Sequence, residues 1–441
     1  MDTEELHLPL SRTANERLHA LIPGGAHTYA KGDDQYPEDL APVISHGSGA
    51  HVWDIDGNRY IEYGSGLRSV SLGHAHPRVN EAVRRELDRG SNFVRPSIVE
   101  VEAAERFLAT VPTAEMVKFA KNGSDATTAA VRLARAATGR PRVAICADHP
   151  FFSVDDWFIG TTPMSAGIPS ETNELTVTFP YGDLAATEEL LTRYEGEVAC
   201  LILEPAAQCE PPPGYLAGLR DLADRHGCVL VFDEMITGLR WSEAGAQGLY
   251  GVVPDLSTFG KALGNGFAVS ALAGRRELME RGGLRHSGDR VFLLSTTHGA
   301  ETHSLAAAMA VLTTYTEEGI TARLHALGER LAAGVRAAAA DAGVGDHIVV
   351  RGRASNLVFA TLDEHGRPSQ EYRTLFLRRL LAGGVLAPSF VVSSALDDTD
   401  IDHTVEVVAQ ACAVYRKALD AADPTPWLVG RPVKPVFRRL V

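Results

Sequence analysis

No uninterrupted apolar stretch in this sequence reaches the roughly eighteen residues needed to cross a bilayer, so nothing reads as a membrane-spanning helix. The opening "MDTEELHLPLSRTANERLHALIPGG" is acidic and lacks an apolar core, which sets aside a secretory signal. Cysteine is scarce: Cys146, Cys200, Cys209, Cys228 and Cys412 show neither metal-ligand spacing nor a small disulfide framework, so no metal centre and a reducing cytoplasm are expected. Positive charge is in deficit, with 42 Lys and Arg against 56 Asp and Glu. A net charge of −14 would repel the phosphates of nucleic acid and excludes non-specific binding to it. The one modestly basic stretch, "GRPVKPVFRRL" at 430–440, reads as a packed or solvated end segment. Lysine is the rarest cation, confined to Lys31, Lys118, Lys121, Lys261, Lys417 and Lys434. Where arginine serves nearly everywhere for charge, a lysine invites the question of whether its amine must lose a proton.

What is present fits a globular protein of two or three domains, with 441 residues of which 45% are hydrophobic and 22% charged. "RVAICA" (142–147), "VACLILEP" (198–205) and "CVLVFDE" (228–234) read as buried strands. Between the last two, "GYLAGLRDLADRHG" carries Leu216, Leu219, Leu222 and Ala223 at helical spacing, with Gly227 suited to a C-cap. Continuous apolar strands alternating with amphipathic helices predict an α/β core on a mostly parallel sheet. The flanks differ: "HVWDIDGNRYIEY" reads as a hairpin around Asp-Gly, and the C-terminal third runs helix, strand, helix, as in an α+β domain. The expected organisation is a segment 1–76 contributing to a small domain, a large domain 77–315 and a C-terminal small domain 316–441.

Asp233 ends a buried strand in "VFDEMITG", Glu204 ends the preceding one in "LILEPAAQ", and Lys261 follows in "PDLSTFGKALGNGF", one strand-helix-strand unit later. Parallel strand ends point the same way, toward the edge where α/β sheets bind ligands, so all three are candidates for one crevice. Upstream, "AKNGSDATTAAVRLARAATG" reads as a helix starting near Gly123 and Ser124, whose bare N–H groups suit a phosphate; Ser and Asp there are also ordinary N-caps. An amine nucleophile, a strand-end carboxylate and a phosphate-binding turn together suit pyridoxal phosphate, which has an aldehyde, a ring nitrogen and a phosphate. Phe151 in "HPFFSVDDW" and Met235 after Asp233 offer faces for its ring.

With these motifs in order, the sequence resembles the class III, fold type I, pyridoxal-phosphate aminotransferases, and most closely their glutamate semialdehyde aminomutase-like group. The likeness runs from "IPGGAHTYAKGDD" through "STTHGAETHSLAAAMA". It implies a seven-stranded-type, mostly parallel sheet in a large domain beside a smaller α+β domain. It further implies that Lys261 forms the internal aldimine, that Asp233 pairs with the ring nitrogen, and that Gly123 and Ser124 bind phosphate. Phe151 would stack on the ring, Met235 would lie beneath it, and Glu204 would stand near cofactor and substrate. Thr297 would reach the phosphate from a second subunit, so a homodimer acting on small amino and carbonyl compounds is implied.

Two stretches depart from that pattern. The family follows its stacking aromatic with His-Gly, whereas here Phe152-Ser153 follows Phe151. Glutamate semialdehyde aminomutases place "NSPVR" after the early Gly-Gly, and its arginine grips the substrate carboxylate. "AHTYAK" leaves Lys31 there, which lacks the bidentate grip of arginine and suggests another substrate. Aminotransfer to an amino sugar, aminocyclitol or other biosynthetic carbonyl compound is therefore the alternative reading. A nicotinamide oxidoreductase would need Gly-x-Gly-x-x-Gly between strand and helix, and neither "GSGAHV" nor "GNGFAV" supplies it. A non-catalytic binding module would not need the lysine. His74 and His76 in "LGHAHP" lack a third ligand nearby and read as loop packing, and Glu234 reads as a turn residue.

Overall fold

The computed structural model describes residues 6–149, 151–206 and 209–439. Residues 207–208 of "LEPAAQ", residue 150 of "HPFF", the first five residues and residue 440 of the tail lie outside the described residues. The chain divides into two compact units. One contains residues through Leu67, Ser71–His76 and everything from Ala322; the other contains Arg68–Val70 and Pro77–Thr321.

Strands β1 (Ile44–Ser48), β2 (His51–Asp54) and β3 (Arg59–Glu62) come first. Next come β4 (Met116–Ala120), β5 (Arg142–Cys146), β6 (Thr176–Phe179), β7 (Val198–Leu203), β8 (Val229–Asp233), β9 (Leu256–Phe259) and β10 (Ser270–Gly274). The last are β11 (Ile348–Arg351), β12 (Val358–Thr361) and β13 (Val385–Leu386). The second unit is built on a seven-stranded sheet ordered β4-β10-β9-β8-β7-β5-β6, in which only β10 runs antiparallel to its neighbours. The expected α/β class, mostly parallel sheet and separate smaller sheet are all present.

Alternation along the strands explains why both sheet faces are covered. Ile202 and Val231 face a helix, Gly123–Thr138, whose Ala126, Ala129, Ala130, Val131, Leu133 and Ala134 are all buried there. Leu201, Leu203, Leu230 and Phe232 face the opposite way, toward Leu216, Leu219 and Leu222 of the helix Tyr215–His226. That helix ends as its sequence predicts, with Gly227 at φ 61° in the left-handed region. The alanine-rich face of Gly123–Thr138 has no bulk to hold it away from the sheet.

Strand order also fixes where a ligand site belongs. From β5 the chain moves outward to β6, whereas β7, β8 and β9 step successively the other way. The reversal falls between β5 and β7, and the crevice beyond the carboxyl ends of strands at such a point is the preferred ligand position.

In the first unit, β2 and β3 form the hairpin expected around Asp56-Gly57, and β1 and β13 flank them. His74 lies 3.2 Å from Glu62, and among the described residues no cluster of three metal-ligating side chains occurs. The tail packs down: the Val433 N–H donates to Thr374 Oγ1 at 2.8 Å, and Arg438 pairs with Asp34 at 2.6 Å. No helix among the described residues is long and apolar enough to cross a membrane.

Because Ala130 is fully buried against the sheet, Ala130→Leu has nowhere to place its added carbons. A loss of about 1–3 kcal/mol in chemical denaturation is expected.

Candidate functional site

Lys261 stands just beyond β9, after Gly260, and adopts φ 47°, a conformation that costs a non-glycine residue about 1 kcal/mol. It begins the single helical turn Lys261–Gly264. Gly260 leaves room for Met235: a Cβ at position 260 would lie 2.6 Å from Met235 Sδ and would push the thioether aside. A Cβ at Gly123 would lie 3.2 Å from the same sulfur. Met235, 6% exposed, therefore joins the start of the helix Gly123–Thr138 to the turn that carries Lys261.

The carboxylates come from the neighbouring strand ends. Asp233 closes β8 and is buried; its Oδ1 accepts the Met235 N–H at 2.9 Å and the Thr258 hydroxyl at 3.2 Å. Burial pushes its carboxyl up to about 6, against the opposing pull of Lys261 and these two hydrogen bonds. Glu204, one residue past β7, is pushed up to about 8 by burial and by the Asp233 charge, while Lys261 and Arg68 draw it down. Desolvation lowers the Lys261 ammonium below the usual lysine range; Asp233 and Glu204 oppose that shift, and Arg68 and Arg240 add to it. One crevice thus holds an amine biased toward neutrality and two carboxylates of unequal acidity.

At the helix start the cap is Asn122, whose Oδ1 accepts the Asp125 N–H at 3.1 Å while Asp125 Oδ2 accepts the Asn122 N–H at 3.2 Å. Ser124 is released from capping, and its hydroxyl oxygen accepts the Val154 N–H at 3.0 Å. Helix geometry leaves the N–H groups of Gly123 and Ser124 directed out of the helix end.

Lys261, Asp233, Glu204, Met235 and the Gly123–Ser124 turn are thus brought together, whereas other expected residues are not. Phe151 is 40% exposed, edge-on to Phe158 at 5.6 Å. Thr297 is exposed in the stretch before the helix Thr302–Glu318. Lys31 ends the short turn Tyr29–Lys31 in the other unit and is exposed.

Sequence reasoning missed three groups in this unit. His149, in the loop leaving β5, is buried with Nε2 3.3 Å from Glu204 Oε2. Its only signal is its place just past a strand end at the switch point. Glu234, read as a turn residue, is fully buried and accepts the Ala246 and Gln247 N–H groups, each at 2.8 Å, and the Thr237 hydroxyl. It clamps the loop after β8, and burial raises its carboxyl to about 7. Arg240 is also fully buried, and its Nη2 donates to the Arg68 carbonyl at 3.3 Å.

A family model described as aminotransferase class-III matches residues 34–391. The chain belongs to the class III aminotransferases. It is similar to an omega-transaminase from Sphaerobacter thermophilus, with 27% identity covering 93% of this chain and 97% of that one at a TM-score of 0.83. It is likewise similar to the FumI protein of Sphingopyxis sp. MTA144, solved with pyridoxal phosphate, with 25% identity covering 95% and 99% at a TM-score of 0.86. A glutamate-1-semialdehyde-aminomutase from Pseudomonas aeruginosa PAO1, 23% identical over 93% of this chain and 95% of that one, shares the fold at a TM-score of 0.80. This class III aminotransferase is a pyridoxal-phosphate-dependent enzyme, and the aminomutase group is one among several structural neighbours. Its own residues fit the cofactor: Gly123 and Gly260 leave the space beside Met235 clear of side chains, and a desolvated amine faces a buried carboxylate.

Glu204 gives a pH-dependent consequence. Its folded-state pKa of about 8 lies above the ordinary value of 4.5, so the stability gained by holding this proton is full below that interval and is lost as pH rises through it. Glu204→Gln removes the dependence. Its stability relative to the parent, measured by chemical denaturation, is expected to increase from about pH 5 to about pH 8.

Proposed function

We propose that this aminotransferase moves an amino group between separate donor and acceptor molecules, with Lys261 as both the covalent anchor for the cofactor aldehyde and the base at the reacting carbon. The observation that carries this reading is the convergence of Lys261, Asp233 and Glu204 beyond the ends of β7, β8 and β9, next to an open helix start. Intermolecular transfer is favoured over an aminomutase by "AHTYAK", where the arginine expected of an aminomutase is replaced by Lys31. The relatives at 25–27% identity described above include an omega-transaminase. Donor and acceptor are taken to be an amino acid and a biosynthetic carbonyl compound.

When bound, pyridoxal phosphate supplies the electron sink that makes a substrate C–H acidic. Lys261 would hold the cofactor aldehyde and serve as the base that moves a proton at the reacting carbon, and its lowered pKa leaves more of the amine neutral and able to do so. Asp233, held by the Met235 N–H and the Thr258 hydroxyl, would supply a negative charge to a protonated ring nitrogen. Gly123 and Ser124 would hold the phosphate through backbone N–H groups. Met235 would lie against one face of the ring; Phe151, exposed and edge-on to Phe158, would have to turn to cover the other.

A homodimer, in which Thr297 of a second copy completes the phosphate site, is part of the proposal. Val94 is fully exposed, Phe93 is 53% exposed and Phe292 68%. Hydrogen bonds from Thr302 N–H to the Ser91 carbonyl at 3.0 Å and from its hydroxyl to the Gly90 carbonyl at 3.1 Å tie the loop of Phe93 and Val94 to the segment that carries Thr297. The exposed apolar pair Phe93 and Val94 suits burial against another copy. Four of the five free cysteines are buried, consistent with a reducing cytoplasm.

Conversion of the purified enzyme to its aminated cofactor form, followed by a screen of carbonyl acceptors for return of the original visible spectrum, tests the transfer. Lys261→Ala is expected to abolish multiple turnover and Asp233→Ala to slow proton removal about 10²–10⁴-fold. Normal turnover by Lys261→Ala would contradict the assignment. For the dimer, sedimentation is expected to give twice the chain mass, and Val94→Asp to shift it toward monomer with loss of activity.

A further inference from the structure

The ring of His149 is held on two sides. Its face stacks on Phe152, with centroids 3.6 Å apart and planes 20° from parallel. Phe152 is itself buried, edge-on to Phe158 at 5.6 Å, and its carbonyl accepts the Thr127 hydroxyl at 2.9 Å. At one ring edge, Nδ1 lies 3.2 Å from the donating N–H of Phe151. Nδ1 must therefore be the acceptor, which in a neutral imidazole puts the proton on Nε2. Nε2 is buried and has no hydrogen-bond partner among the described residues, yet Glu204 Oε2 is only 3.3 Å away, out of alignment.

We propose that His149 is a positioning residue for Glu204: its neutral ring, clamped by Phe151 and Phe152, donates Nε2–H to Glu204 Oε2 and fixes an acid group beside Lys261. The two side chains are 4% and 5% exposed and come from the loops after β5 and β7, the two strands that flank the switch point of the sheet. An ion pair is disfavoured at this place. A second proton would have to sit on Nδ1, breaking the bond from Phe151, and the resulting cation would face both burial and the Lys261 charge, which together hold the imidazole well below its usual pKa. The charged and titratable groups around Glu204 are Asp233 and Glu234 from the β8 end, Lys261 from the β9 end, Arg68 and, from β5, Cys146. His149 reaches Oε2 from a ring whose plane is already set.

The proposal rests on the Lys261 crevice as the reaction site, but its test does not. Two measurements read the pair directly on the full chain: the ¹⁵N shifts of His149, assigned by their loss in His149→Gln, and the carboxyl C=O infrared band of Glu204, assigned by its loss in Glu204→Gln. The expected result is a neutral ring protonated at Nε2. Loss of the N–H in His149→Phe, which keeps the stack on Phe152, is expected to raise the pH midpoint of Glu204 by about one unit. His149→Gln, whose amide N–H falls near the place of Nε2, is expected to restore most of the shift. A proton found on Nδ1, or an unchanged Glu204 midpoint in His149→Phe, would overturn the proposal. The tautomer is read on the parent chain, so poor folding of the Phe variant leaves that arm intact. Failure of amino transfer with both readouts as expected would count against the reaction and not the pair.

Discussion

Keeping charge out of water beside Lys261 is the constraint on which the rest of this structure depends. An ammonium and two carboxylates gathered at buried strand ends are expensive unless each offsets the others. The chain meets that cost with mutual interactions: Asp233 and Glu204 support the Lys261 charge, and Lys261 draws both acids down against burial. The balance is incomplete, since Glu204 remains pushed up to about 8 and Asp233 to about 6. Under the proposed function, a cofactor with a positive ring nitrogen and a reactive aldehyde would relieve two of these imbalances at once. The sheet exists, in functional terms, to make that concentration of strained charge stand still.

Much of that sheet can be read directly from residue patterns. The runs "VACLILEP" and "CVLVFDE" are unbroken apolar segments, and such segments bury both faces; the strands Val198–Leu203 and Val229–Asp233 do so. The helix Tyr215–His226 follows from leucines at helical spacing and a terminal glycine. The convergence of Glu204, Asp233 and Lys261 was legible too, because strand ends in a parallel sheet share one edge.

Other parts of the site were hidden by the same physics. His149 is polar by type and sits in a loop, so no periodicity marks it; only tertiary packing on Phe152 buries it. Glu234 looks like turn chemistry because it follows a strand, yet its carboxylate serves N–H groups at positions 246 and 247, a distance no local pattern reveals. At Gly123 the sequence left open whether Ser124 and Asp125 were caps, and Asn122 took that role with Asp125 as its partner. No local pattern shows why position 260 is glycine, because its neighbour there, the Met235 sulfur, comes from the turn after another strand.

The most direct test of the central claim is borohydride reduction of the purified, cofactor-loaded enzyme followed by peptide mapping. The account predicts a single stable adduct of the cofactor on Lys261. An adduct on Lys118, Lys121 or another lysine, or none at all with the cofactor present, would contradict it.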